Sequence, residues 1–335
     1  MRLPEVLTSS RQKDETQPAP ALDSAAMKIG LALGSGSARG WSHIGVIRAL
    51  HDNGIEPQIV CGTSIGALVG AVYASGTLDQ FEAWVRDLDW WSIVRFMDPG
   101  IAGGGFMEGE HLMKVMAEHL DPGNMEDLPK TFAAVATNLR TGQELWIQKG
   151  SLVDAVRASI ALPGLFTPVR HEDSWLVDGG LVNPVPVSLC RSLGADLTIA
   201  VNLNGDIVGR RLPSHEAVVR EKRNKSPAAW NQFTDRLQET LKDSSFGRLV
   251  ARREPPGPGM FDVVASAINI MQDRITRSRM AGDPPDVLLA PRLAQIGLLE
   301  FDRAEEAIAE GRRAVERMLP IIRPLIRAEP TVRTS

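Results

Sequence analysis

Ser64 lies in Gly62-Thr63-Ser64-Ile65-Gly66, the G-x-S-x-G spacing that sets a serine on a sharp turn between a strand and a helix. Glycines on either side leave room for that turn, which holds the hydroxyl out from the sheet as a nucleophile. The same serine also suits the plain role of a helix N-cap. The two readings overlap, because a nucleophile at a helix N-terminus gains from the local dipole. A serine hydroxyl attacks poorly at its own pKa and needs a base to take its proton. Asp178 is a candidate. It follows the apolar stretch Ser174-Trp175-Leu176-Val177 and precedes Gly179 and Gly180, so its carboxylate leaves a strand end where backbone can approach closely. A site that excludes water would give this carboxylate the basicity to act on the serine directly. The plain alternative is an Asp-Gly turn that ends a strand.

A histidine base is the competing arrangement. The usual order of serine, acid and histidine along the chain leaves only His215 downstream of Asp178, and His215 sits in a charged stretch. His43, His51, His111, His119 and His171 precede the acid and are more simply surface or core residues. No histidine pair has metalloprotease spacing, and Cys61 and Cys190 stand far apart, so no metal is expected.

The glycine loop, residues 34–40 (GSGSARG), poses a separate question. A dinucleotide fingerprint needs glycine or alanine where Arg39 stands, and Glu56 precedes its strand instead of ending it. No Gly-Lys-Ser/Thr follows, so the loop does not cradle a nucleotide phosphate, and no cofactor is expected. What remains is a run of small residues before a helix, whose backbone N–H groups can converge on one anion. With an elbow serine on the next strand, that is the layout of an oxyanion hole.

These residues need a scaffold. Residues 28–33 form a short apolar run suited to a buried strand, and Ile44, Ile47 and Leu50 recur at helical spacing until Gly54. Residues 58–62 repeat the strand, and a helix follows to Gly76. Helical stretches are expected near 79–91 and from Glu108, and paired strands on either side of Thr141 and Gly142. Further strands fall at 174–177, 197–203 and 286–291, and Ala304 to Leu319 keeps helical spacing. Alternating strands and helices imply an α/β fold, a layered structure on a largely parallel sheet. Residues 57–78 carry no charge, but their spread of Gly, Ser and Thr suits a buried strand, turn and helix better than a membrane span. Residues 1–26 read as a disordered leader, 27–320 as one domain with a polar insertion at about 205–258, and 321–335 as a C-terminal tail. A net charge of −4 gives no global pointer to nucleic acid, and Cys61 and Cys190 among apolar neighbours suggest free thiols in a reducing, cytoplasmic setting. From Arg210 to Lys225, six basic residues face only Glu216 and Glu221. That stretch is either a solvated helix face or a contact with an anionic membrane surface.

Taken in order, GSGSARG, GTSIG, ASIALPGLFTPV (158–169) and DGG (178–180) resemble the patatin-like phospholipase family, most closely its bacterial branch. The likeness covers roughly residues 28–205. It implies a three-layer α/β/α sandwich with a mainly parallel central sheet. It also implies hydrolysis of lipid acyl esters by a serine–aspartate dyad without histidine, with Ser64 as nucleophile and Asp178 as general base. An oxyanion hole drawn from Gly34, Ser35, Gly36, Ser37, Arg39 and Gly40 belongs to the same picture, with Gly62, Gly66, Gly179 and Gly180 supporting the motifs. Ser35 and Ser37 depart from the glycines found in many members. Pro163 and Pro168 would bracket a loop beside the acyl pocket, and Arg39 would either orient the glycine loop or meet a phosphate head group. The partners so implied are a lipid substrate and, peripherally, the inner membrane face. A histidine-dependent esterase using His215 and a non-catalytic regulatory or membrane-binding module on the same fold are the alternatives.

Overall fold

The computed structural model describes residues 27–88, 123–171, 173–205 and 260–327. The expected leader, the helix from Glu108, most of the polar insertion with His215 and the Arg210–Lys225 stretch, and the last eight residues lie outside them. Eight strands form one sheet: β1 Ile29–Leu33, β2 Ile59–Thr63, β3 Thr131–Asn138, β4 Glu144–Ile147, β5 Val169–His171, β6 Ser174–Asp178, β7 Leu197–Val201 and β8 Val287–Leu289. Their order is β5-β6-β3-β2-β1-β7-β8, with β4 also paired to β3. β1, β2, β3, β7 and β8 run parallel, and β4 and β6 pair antiparallel with β3.

Helices cover both faces, giving an α/β/α sandwich. They are α1 Ser42–Asp52, α2 Ile65–Ser75, α3 Leu78–Arg86, α4 Leu152–Ser159, α5 Val187–Ser192, α6 Met260–Gly282 and α7 Ala304–Arg327. The strands' two-residue period sorts their side chains between two cores. Leu31, Leu33, Val60, Phe132 and Ile199 pack with α1, α2 and α7, whereas Ala32, Cys61, Val135 and Ala200 pack with α5. Leu31 and Leu33 are wholly buried, so truncating either to alanine should cost about 2–5 kcal/mol.

The strand–helix alternation matches the sequence reading, and the uncharged stretch from Pro57 becomes β2, a tight turn and α2. No described helix is long and apolar enough to cross a membrane. Two boundaries move. A 3-10 turn over Ser37–Trp41 precedes α1, so helical structure begins inside the glycine loop. α7 runs on to Arg327 through Pro320 and Pro324, past the expected domain edge at residue 320. Cys61 and Cys190 are both buried free thiols.

Candidate active site

β2 ends at Thr63, and the chain turns so sharply that Ser64 takes φ 58° and ψ −126° before α2 begins. Positive φ is costly for a serine and persists only where neighbours enforce it. The two motif glycines make the turn possible: a Cβ at Gly62 would lie 2.3 Å from Ala67 Cα, and one at Gly66 would lie 2.2 Å from the Leu33 carbonyl oxygen. Two side chains then lock the turn. Thr63 Oγ1 donates to the Asn183 carbonyl at 2.8 Å, and the Ser64 N–H donates to Ser159 Oγ at 2.9 Å.

β3 brings the second residue to the first. Thr63 pairs with Val135, and Asp178 with Ala136, so the ends of β2 and β6 fall one residue apart along the same strand. Ser64 Oγ donates to Asp178 Oδ2 at 2.6 Å, and Gly180 N–H donates to Asp178 Oδ1 at 2.7 Å. Asp178 is 1% exposed, and burial raises its carboxyl pKa to about 6 against the opposing pull of those two hydrogen bonds. A base with a pKa near the working pH and a 2.6 Å contact to a hydroxyl meets the geometric and acid–base requirements for proton abstraction.

The glycine loop is held from several sides, and those ties narrow the expected set of anion donors. Gly34 N–H donates to the Val201 carbonyl at 3.1 Å and Ser35 N–H to the Pro184 carbonyl at 2.8 Å. These two groups, expected to face an oxyanion, are committed to the scaffold. Among the described residues, the N–H groups of Gly36 and Ser37 donate to no protein acceptor, and both residues line the cavity with Ser64. Ser37 takes φ 53°, a second non-glycine residue with positive φ. Arg39 is tied into the glycine loop and to α6. It is 2% exposed, and it donates through Nε to the Gly36 carbonyl at 3.2 Å and through Nη2 to Asn269 Oδ1 at 2.9 Å. Burial lowers its pKa to about 10. Gly40 leaves space for the Ile65 side chain.

The described histidines stay away from Ser64. His43 is wholly buried, its Nε2 is 2.8 Å from the Gly34 carbonyl, and burial lowers its pKa to about 4. A carbonyl can only accept, so Nε2 carries the proton and neutral His43 props the glycine loop from behind. His51 pairs with the Tyr73 hydroxyl, and His171 is exposed on β5. His111, His119 and His215 lie outside the described residues.

Ser64 and Asp178 open onto a cavity of about 1050 Å³ including its mouth. Its walls are chiefly apolar: Trp41, Leu68, Trp84, Leu88, Ile160, Leu162, Ile268, Leu298 and Phe301 line it, as do Leu165 and Phe166 of the proline-bracketed loop. Asp178 is the only carboxylate, and no histidine or lysine joins it, among the described lining residues.

The sequence pattern of the family described as patatin-like phospholipase matches residues 31–191. An NTE family protein of Mycobacterium tuberculosis is 35% identical over 335 residues, spanning 88% of this chain and 93% of that relative. The chain belongs to the patatin-like phospholipase family. Lysophospholipase NTE1 of Pyricularia oryzae is 30% identical over 298 residues, covering 84% of this chain but only 18% of that larger protein. Its namesake in Coccidioides immitis is 35% identical over 294 residues, with a similar 17% share of the relative. In this patatin-like chain the matched range holds Ser64, Asp178 and the glycine loop, but not the whole site. Asn269 and Gln272 on α6, and Leu298 and Phe301 before α7, complete the cavity from beyond it. The sequence reading missed these four and the role of Ser159, although Ser159 lies inside the quoted block 158–169.

Proposed function

We propose that this chain is a serine acyl hydrolase that cleaves carboxylic ester bonds of lipids through an acyl-enzyme on Ser64. The observation that carries the reading is the 2.6 Å hydrogen bond from Ser64 Oγ to a buried carboxylate, placed in a cavity with apolar walls. Asp178 Oδ2 takes the hydroxyl proton as Ser64 Oγ attacks the ester carbonyl. Negative charge then collects on the carbonyl oxygen, where the N–H groups of Gly36 and Ser37 stabilise it. Asp178 returns the proton to the departing alcohol, and water, activated by the same carboxylate, releases the fatty acid. Leu68, Leu162 and Phe166 give the acyl chain an apolar lodging. Membership of the patatin-like family and likeness to fungal lysophospholipases support a lipid substrate.

Ser64→Ala removes only the attacking oxygen. The variant should fold, lose esterase turnover and lose fluorophosphonate labelling, both measured beside wild type. Undiminished labelling or turnover in Ser64→Ala would sink the proposal, as would a His215→Ala variant that proves equally inactive.

A further inference from the structure

The side-chain amide of Gln272 lies between the glycine loop and Gly180, whose N–H holds Asp178 Oδ1. Its Oε1 accepts hydrogen bonds from Ser35 Oγ and from Asn204 Nδ2, each at 3.1 Å. Two donors on one carbonyl oxygen fix which way the amide faces. Its NH2 is turned to Gly180: a Cβ there would lie 2.5 Å from Gln272 Nε2 and 2.9 Å from Asp178 Oδ1. Gln272 and Ser35 are both buried, and both line the cavity. One turn earlier on α6, Asn269 accepts from Arg39, so the helix grips the glycine loop at two points on one face. Arg279 anchors the far end of α6, its Nε donating to the Val182 carbonyl at 2.8 Å, close after the turn that carries Asp178.

Resting on the hydrolase reading above, we propose that Gln272 is a positioning residue for this reaction. Through Ser35 it sets where the neighbouring Gly36 and Ser37 N–H groups point, and its NH2 rests against Gly180, whose N–H holds Asp178 Oδ1. Ser35 is held at its backbone by Pro184 and at its side chain by Gln272, so the residue before the two free donors has little freedom. Donors aimed at a developing charge lose much of their effect when displaced by a fraction of an ångström, whereas one neutral hydrogen bond adds little to global stability. The contact therefore weighs more on rate than on folding.

The test uses the full chain and a short soluble ester, with fluorophosphonate labelling scored on the same samples. Gln272→Leu and Ser35→Ala should each lower kcat about tenfold with KM changed less than about twofold, and the double variant should be no slower than the worse single one. Gln272→Glu keeps an acceptor for Ser35 but sets a negative charge against Gly180, the residue whose N–H holds Asp178 Oδ1. The acidic limb of its kcat/KM profile should move up by about one pH unit. A full-speed Gln272→Leu enzyme, additive losses in the double variant, or an unmoved limb in Gln272→Glu would each overturn the proposal. If Gln272→Leu fails to fold, Ser35→Ala and Gln272→Glu still decide. Wild-type ester turnover without labelling at Ser64 would overturn the hydrolase reading instead, so the two failures are told apart.

Discussion

Ser159 Oγ accepts the Ser64 N–H at 2.9 Å and donates to the Val135 carbonyl at 2.6 Å, fastening the backbone of the elbow to β3 through one buried hydroxyl. Ser159→Ala leaves a buried N–H and a buried carbonyl without that partner. It should cost about 1–3 kcal/mol in denaturant titration and lower kcat about tenfold as the turn relaxes from positive φ. Full activity in a destabilised variant would show that the elbow keeps its shape without this tie.

Asp178→Asn keeps the shape of the base but cannot take a proton. Turnover should fall on the order of 10²-fold or more. In the wild type, kcat/KM should rise with pH through an apparent pKa of about 6, the value burial gives the Asp178 carboxyl. Steady-state rates from pH 4.5 to 8 test both points, and a flat profile would mean that the ionisation of Asp178 does not govern the rate.

Two buried groups push stability in opposite directions over the same pH range. Asp178 is raised from an ordinary 3.8 to about 6, so its contribution is present at low pH and fades as pH rises through that interval. His43 is lowered from 6.5 to about 4, so its contribution is present above pH 6.5 and fades as pH falls toward 4. Each is worth on the order of 3 kcal/mol, and in the wild type the two slopes largely cancel. Asp178→Asn should unmask stability that climbs with pH, and His43→Gln stability that declines with pH. Thermal melts of the three proteins at pH 4.5, 5.5 and 6.5 read this out, and parallel curves would contradict it.

The oxyanion assignment rests on two N–H groups. Gly36→Pro deletes one of them and should lower turnover by roughly 10²-fold or more, provided that circular dichroism and melting match the wild type. Ser37→Gly keeps the N–H and relieves φ 53°, so its activity should stay within about threefold of wild type and its stability within about 1 kcal/mol. A folded, fully active Gly36→Pro enzyme would remove that donor from the mechanism.

Much of this architecture is legible locally. Short apolar runs, helical spacing and glycine stops mark β1, β2, α1 and α2, and the turn residues around Ser64 and Asp178 advertise strand ends whatever lies around them. β5 is three residues long, too short for any period to declare it. The commitment of the Gly34 and Ser35 N–H groups depends on carbonyls of Val201 and Pro184, far along the chain. Ser35 and Gln272 are 237 residues apart, and a neutral amide on an amphipathic helix looks like any solvated side chain until the fold buries it. A loop read only for its backbone donors likewise gives no sign of the Ser35 side chain's hydrogen bond to Gln272.

The pairing of both β2 and β6 with β3 also sets a timetable. Ser64 and Asp178 are 114 residues apart, and they meet only when two separate stretches of chain have zipped onto one strand. Such distant pairings form slowly, because the loops must close before the contacts reward them. A refolding chain should therefore recover its helical circular dichroism first and its esterase activity last, so the appearance of turnover dates the moment at which the centre of the sheet is complete.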